Sequence, residues 1–106
     1  MQFFQRHITA LCLTTLAAAA PAHASDALAK KNGCLGCHAV SSQLVGPSYQ
    51  AVAAKYGNDK ATVAMLAASI RKGGSGKWGE TAMPPQAQLQ EADAKRLAAW
   101  ILGGAK

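Results

Sequence analysis

The segment GCLGCHAV, residues 33–40, carries the side chains whose types and spacing could support chemistry. Two residues separate Cys34 from Cys37, and His38 follows the second cysteine directly. Three chemistries use such residues: a dithiol can cycle with a disulfide, thiolates can bind zinc, and two cysteines can attach a haem whose iron the histidine binds. The elements around the segment must decide which of the three applies.

Residues 1–24 have the pattern of an export signal. A short basic start precedes an apolar run over residues 8–20, and Ala22-His23-Ala24 is the small-x-small pattern that signal peptidase accepts. The apolar run is shorter than the ~20 residues that a membrane-spanning helix needs. We therefore expect cleavage after Ala24, which places the mature chain, residues 25–106, in the periplasm; an uncleaved interfacial anchor is the alternative.

The mature chain is long enough for one small domain, residues 25–106. Chains of roughly 80 residues or fewer usually need a staple such as disulfides, a metal or a large cofactor. Cleavage removes Cys12, so Cys34 and Cys37 remain and a disulfide framework is not available. The full chain has a net charge of +6 at pH 7. It has no arginine-rich or aromatic-basic stripe, which argues against a nucleic-acid partner.

The apolar periodicity predicts an all-α domain of about four short helices with one long, structured loop. No segment alternates apolar and polar residues with the period of a strand. The loop, residues 73–88 (GGSGKWGETAMPPQAQ), holds four glycines and two prolines, too many for a helix or a central strand. The helices are expected to start at Ser25, Tyr49, Lys60 and about Gln90, and to stop at Asn32-Gly33, Gly57-Asn58, Gly73-Gly74 and Gly103-Gly104.

These elements bear on the three chemistries of Cys34, Cys37 and His38. A redox CxxC of the thioredoxin kind lies where a strand enters a helix, and no strand is predicted here. A structural zinc site needs four ligands, whereas the mature chain has no cysteine or histidine beyond these three. C-x-x-C-H is the haem c attachment signal. We therefore favour a covalently attached haem c, with the dithiol and the zinc site as weaker alternatives.

A haem iron bound by one histidine has a further axial position, and a methionine there is typical of electron transfer. The mature chain offers Met65 and Met83. Met65 lies in a predicted helix, where a packing role is expected. Met83 lies in the loop and precedes Pro84-Pro85, two residues with restricted backbones that suit a loop holding a weak ligand. We therefore predict Met83 as the second axial ligand.

This ordered set of motifs resembles the class I cytochromes c, and within them the small bacterial cytochrome c-551 (cytochrome c8) group. The resemblance covers nearly all of residues 25–106 and rests on CLGCH, VGPSY, KWG, MPP and AAWIL, in that order. It implies a cytochrome c fold, in which about four short helices wrap round one covalently attached haem and the long loop carries the distal ligand.

The resemblance also implies a role for individual residues. Cys34 and Cys37 would form the thioethers, and His38 and Met83 would bind the iron. The carbonyl of Pro47 would accept from the free ring nitrogen of His38, and the indole N–H of Trp78 would donate to a haem propionate.

Two positions depart from the pattern of some relatives. An arginine lies near the propionates in those relatives where this chain has Ser69, and Arg71 is expected to face elsewhere on its helix. An asparagine that touches the methionine sulfur follows MPP in some relatives, and this chain has Gln86 there. Both departures concern the reduction potential rather than the class of protein.

From these observations we expect a soluble periplasmic monohaem cytochrome c that shuttles single electrons between respiratory redox partners and is not an enzyme. The resemblance suggests a periplasmic nitrite reductase, a terminal oxidase, a peroxidase or a small copper protein as partner, and a monomer without a membrane span. Candidate docking lysines around the haem edge are Lys30, Lys31, Lys72 and Lys77. The alternatives are a ligand-binding or catalytic haem c protein in which Met83 is displaced, and a thiol oxidoreductase.

Overall fold

The computed structural model describes the chain from residue 23 to residue 106, and its side chains from residue 25 onward. Within this part the elements are α1 (His23–Lys31), a 3-10 turn (Cys34–Gly36), α2 (Tyr49–Lys55), α3 (Lys60–Lys72) and α4 (Glu91–Leu102). Residues 23–106 contain no strand, and Gly74 and Met83 form an isolated antiparallel bridge. The predicted all-α class is confirmed. The predicted export signal lies, except for its last two residues, outside the described part.

Short polar side chains set the start of two helices. The Ser48 hydroxyl accepts a hydrogen bond from the backbone N–H of Ala51 at 3.1 Å, which caps α2. The Asp59 carboxylate accepts from the N–H of Thr62 at 2.7 Å, which caps α3. These starts agree with the predicted ones.

The predicted start of the first helix at Ser25 is wrong, because α1 begins at His23. Ser25 therefore lies inside the helix rather than at its N-cap. Asp26 forms an ion pair with Lys30 one turn later, at 2.8 Å. His23 and Ala24 are already helical, and a serine caps a helix only where the backbone leaves helical geometry.

Helix α4 is the centre of the core, since it packs against α1, α2 and α3. Its Leu97 is 1% exposed. Small residues allow the other helices to approach it closely: Ala29 of α1 and Ala67 of α3 are buried, as are Ala94 and Ala98 of α4 itself. The packed helices therefore fix the ends of the two long connections, residues 37–48 and 73–90.

Candidate cofactor site

One cavity is lined by every side chain for which the sequence predicted a role at the site: Cys34, Cys37, His38, Pro47, Trp78 and Met83. Its volume is about 220 Å³ and it is partly open to solvent. Its inner wall is apolar, formed by Val52, Leu66, Ile70, Leu97 and Ile101. Protein interiors leave few voids larger than a water molecule. A cavity of this size between packed helices is therefore a place for a bound group.

The 3-10 turn brings both thiols and the imidazole to this cavity. Gly33 adopts a left-handed conformation (φ 73°), which ends α1 and turns the chain. The carbonyl of Cys34 then accepts from the N–H groups of both Cys37 and His38, at 3.2 and 3.0 Å. Cys34 is half-buried and Cys37 exposed, and both are free thiols. Burial raises the pKa of the Cys34 thiol, whereas an activated redox thiol has a lowered pKa.

Three contacts fix the orientation of the His38 ring. Its Nδ1 lies 2.7 Å from the carbonyl oxygen of Pro47. A proton on Nδ1 makes this a hydrogen bond and leaves Nε2 as the ring nitrogen that can bind a metal. The Tyr49 ring stacks on the imidazole, with centroids 5.6 Å apart and planes 19° apart. Gly46 also packs against the ring, so closely that an added Cβ would lie only 2.5 Å from Cε1.

Backbone contacts fix the position of Met83 in the long loop. Gly74 and Met83 exchange two hydrogen bonds, of 3.0 and 2.8 Å. Gly73 has φ +67° and lies so close to this pair that an added Cβ would collide with the Met83 carbonyl and would lie 2.7 Å from the Pro85 nitrogen. Met83 is half-buried and packs against the core. These contacts therefore fix which residue of the loop lies over the cavity, namely Met83.

Met65 lines the same cavity, a position that its helical spacing in the sequence did not predict. It is half-buried, and the Ser69 hydroxyl donates to its carbonyl at 3.1 Å and lies 3.9 Å from its sulfur. Ser69 also lines the cavity, whereas Arg71 is directed to the start of α4, where its Nε donates to the carbonyl of Leu89 at 3.1 Å. The structure therefore brings two methionines to the cavity, one on a helix and one on the loop.

Trp78 lies at the rim of the cavity and is 41% exposed. The Tyr56 ring packs against it in a T-shaped arrangement, with centroids 6.2 Å and planes 73° apart. The ammonium group of Lys55 lies 4.5 Å from the centroid of the Trp78 ring and donates to the carbonyl of Lys77 at 3.0 Å. The role of Lys55 was not predictable from the sequence, because a lysine at the end of a helix carries no signal of a long-range contact.

The Gln86 amide, at the second position that departs from some relatives, has a partner at both ends. Its Nε2 donates to the carbonyl of Pro84 at 3.1 Å, and its Oε1 accepts from Nε2 of Gln88 at 2.9 Å. Gln88 also reaches Oδ1 of Asn32 at 3.4 Å. A line of amides thus connects the end of α1 to the loop beside Met83.

The donor set suits a haem, since the cavity combines two free thiols, one oriented imidazole and thioether sulfurs with an apolar wall. A model of the family described as Cytochrome c matches residues 22–105. The chain belongs to the cytochrome c family. This family carries one covalently attached haem c, so the predicted family and cofactor are confirmed. The roles of the individual side chains remain predictions.

Known cytochromes c resemble this one over most of their length. It is 45% identical to cytochrome c-551 of Allochromatium vinosum over 88% of this chain and 99% of that protein. It is 51% identical to cytochrome c-552 of Hydrogenobacter thermophilus over 74% and 80% of the two chains. The crystal structure of Nitrosomonas europaea cytochrome c552 is similar, with a TM-score of 0.70 and 47% identity over 73% of this chain and 95% of that one. These similarities establish an electron-transfer cytochrome c.

Proposed function

We propose that this cytochrome c is a periplasmic carrier of single electrons in which His38 and Met83 bind the haem iron. Cys34 and Cys37 would form the two thioethers to the haem. The observation that carries the proposal is the convergence of these four side chains on one cavity with an apolar wall. The two backbone bonds between Gly74 and Met83 support the loop methionine as the second ligand.

The haem supplies an iron that accepts or releases one electron. The chain's own residues keep the ligands in place in both oxidation states. The Pro47 carbonyl holds the Nδ1–H of His38 at 2.7 Å, which orients the ring and raises its basicity. With His38 and Met83 both held in place as ligands, little would have to move when the charge of the iron changes. A methionine ligand and a dry environment each raise the reduction potential, and the apolar side chains of Leu66, Leu97 and Ile101 exclude water from the inner wall.

Met83 is the better candidate for the second ligand than Met65. The loop holds Met83 on both sides, through the exchange of backbone bonds with Gly74 and through the prolines that follow. The sulfur of Met65 already has the Ser69 hydroxyl as a neighbour at 3.9 Å. We therefore assign Met65 to the wall of the cavity and Met83, whose backbone is fixed in the loop, to the iron.

A role as a carrier rather than an enzyme is supported by the chemistry of the cavity lining. His38 is the one imidazole among the described residues that line the cavity, and no carboxylate accompanies it. Peroxide chemistry requires a distal acid or base, and the lining offers neither a second imidazole nor a carboxylate for that role. Thiol–disulfide chemistry is disfavoured as well, because a haem attached through Cys34 and Cys37 would occupy both of these thiols.

A location in the periplasm rests on the export signal predicted for residues 1–24. No helix within residues 23–106 has the length and apolarity to cross a bilayer. Isolation of the protein from a periplasmic fraction, followed by sequencing from its amino terminus, should give Ser25 as the first residue. A chain that still begins at Met1 would contradict the proposed processing.

Partners are proposed to be redox proteins that dock at the open side of the cavity. Val45, 60% exposed, and the exposed Lys77 both line the cavity, and Lys72 is exposed at the end of α3. Such transient contacts are small, below about 1,200 Å². Charge there mainly raises the rate of encounter. A periplasmic nitrite reductase, a terminal oxidase, a peroxidase or a small copper protein would suit a docking surface of this kind.

A redox titration combined with charge reversal tests the proposed function. The holoprotein should titrate with one electron, about 59 mV per tenfold change in the oxidised-to-reduced ratio. Reversing Lys72 and Lys77 to Glu should slow reduction of an acidic redox protein at low salt and have little effect at high salt. Lys60→Glu, at the start of α3 and away from the cavity lining, is the matched control. Equal rates for both variants would remove the docking role of the two lysines.

A further inference from the structure

Lys55 is the last residue of α2, and its side chain reaches across to the loop that carries Trp78. Its ammonium group donates to the carbonyl of Lys77 at 3.0 Å. It also lies 4.5 Å from the centroid of the Trp78 ring and 5.5 Å from that of Tyr56. Hydrogen bonds from a charged donor are stronger than neutral ones, and a cation over an indole face adds a second attraction. One side chain therefore joins a helix end to a loop 22 residues further along the chain.

The tip of this loop has few other restraints. Gly76 and Gly79 have positive φ angles of 95° and 112°, and neither has a heavy atom within 4 Å of the place where a Cβ would be. A hydrogen bond from Gly76 N–H to the Gly79 carbonyl, 2.8 Å long, closes the tip on itself without connecting it to a helix. Glycine loses the most conformational freedom on folding. The loop base is held at Met83, and the tip needs a restraint of its own.

We propose that Lys55 is a positioning residue of the haem site, which fixes Trp78 at the rim of the cavity by holding the loop tip between its ammonium group and the Tyr56 ring. The inference rests on the proposed function and on the role that the resemblance implies for Trp78, donation of its indole N–H to a haem propionate. This role distinguishes Lys55 from the docking lysines, because its ammonium group is held against the Lys77 carbonyl and the Trp78 ring within the molecule. A cation held at this rim favours the less positive, ferrous state and so raises the reduction potential.

Hydrogen exchange of the holoprotein measures the restraint directly. In Lys55→Met, exchange of the Trp78 indole N–H and of the Gly76 amide should become roughly five- to tenfold faster, from the loss of a cation–π contact and a charge-assisted hydrogen bond. Lys55→Arg keeps the cation and should change both by less than about twofold. The Met83 amide, bonded to Gly74 at the loop base, should stay unchanged in every variant.

A matched control removes a charge without touching the loop. Lys60, at the first position of α3, is exposed and has no hydrogen bond or ion pair to the side chains of residues 25–106. Lys60→Met should leave the Trp78 indole exchange at the wild-type rate. Faster exchange in Lys60→Met, equal to that in Lys55→Met, would mean a general effect of net charge and would overturn the proposal. Unchanged exchange in Lys55→Met would overturn it as well.

The propionate contact of Trp78 is tested separately, by the reduction potential of Trp78→Phe measured across a range of pH. A pH dependence equal to that of the wild type would refute the propionate contact. The exchange experiment on Lys55→Met would still decide whether Lys55 restrains the loop, so the two failures can be distinguished. A lower potential in Lys55→Met than in Lys55→Arg, with faster indole exchange, is the combined result that the proposal requires.

Discussion

Gly46 lies so close to the His38 imidazole that its replacement by alanine should damage the proposed haem site. The added Cβ would lie 2.5 Å from Cε1 and 2.8 Å from Nδ1 of the ring. The backbone φ of Gly46 is not in the left-handed region, so the effect comes from contact and not from backbone strain. To relieve the contact, either the ring or the Gly46–Pro47 backbone must move. Either movement lengthens the bond between Nδ1 and the Pro47 carbonyl.

Two terms set the size of the effect: the steric contact of the added Cβ with the His38 ring and the weakened hydrogen bond between Nδ1 and the Pro47 carbonyl. Overpacking a core typically costs 1–3 kcal/mol, and a fully buried carbonyl left without its donor costs about 1–3 kcal/mol; the half-buried Pro47 carbonyl lies at the lower end of that range. Because the same movement relieves the first and causes the second, we expect a total loss of about 2–4 kcal/mol in the free energy of unfolding of the holoprotein. For a domain of this size, Tm falls by roughly 4–8 °C per kcal/mol. A weaker Nδ1 hydrogen bond also lowers the basicity of the ligand, which should raise the reduction potential.

Thermal unfolding and redox titration of Gly46→Ala, with Gly57→Ala as the matched control, measure both effects. Gly57 has no heavy atom within 4 Å of an added Cβ and does not have a positive φ. Its substitution should be neutral or should stabilise by up to about 1 kcal/mol. Gly46→Ala should unfold far below both the wild type and Gly57→Ala. Equal Tm values for the two variants would refute the claim that Gly46 packs tightly against the His38 ring.

Three further variants test the local structure. Ser48→Ala removes the N-cap of α2 and should cost about 1 kcal/mol in chemical denaturation, whereas Gln50→Ala, exposed on the same helix, should not; equal losses would contradict the capping role. The pKa of the Asp59 carboxyl is held below its ordinary value of 3.8, mainly because a backbone N–H of α3 donates to it. Its stabilisation is therefore present above that value and lost as the pH falls through the lowered pKa. The difference in unfolding free energy between wild type and Asp59→Asn should shrink on acidification, and a constant difference would contradict this. Gly73→Ala and Gly79→Ala both place alanine at positive φ, but only at position 73 does an added Cβ meet backbone atoms of the loop. In thermal unfolding, Gly73→Ala should therefore cost at least about 2 kcal/mol more than Gly79→Ala. Equal costs would refute the close approach of Gly73 to the loop.

The parts of the molecule that were predictable from sequence are those with local signals. The spacing in CLGCH, the polar caps of α2 and α3, and the run of glycines and prolines after α3 each restrict the backbone over a few residues. Their positions in the structure agree with these restrictions. Ser25 is the exception among the caps, because a serine also fits inside a helix when the preceding residues are helical.

Contacts between distant segments were not predictable. Met65 has the same helical spacing whether it faces the core, the solvent or the cavity, and only the packing of α3 against α4 decides among these. Lys55 meets Trp78 because the loop turns back across the end of α2. Gln88 reaches Oδ1 of Asn32, 56 residues earlier in the chain, because the end of α1 lies beside the loop. Such partners depend on tertiary geometry that one sequence does not encode in a local pattern.

Ligation of the haem iron by His38 and Met83 is the central claim, and the absorption spectrum of the ferric protein tests it most directly. The spectrum should contain a weak band near the red edge that reports a methionine sulfur on the iron. The band should persist in Met65→Leu, which replaces the other methionine of the cavity, and should disappear in Met83→Ala. A wild-type spectrum without the band, or a band that is lost in Met65→Leu and kept in Met83→Ala, would contradict the account.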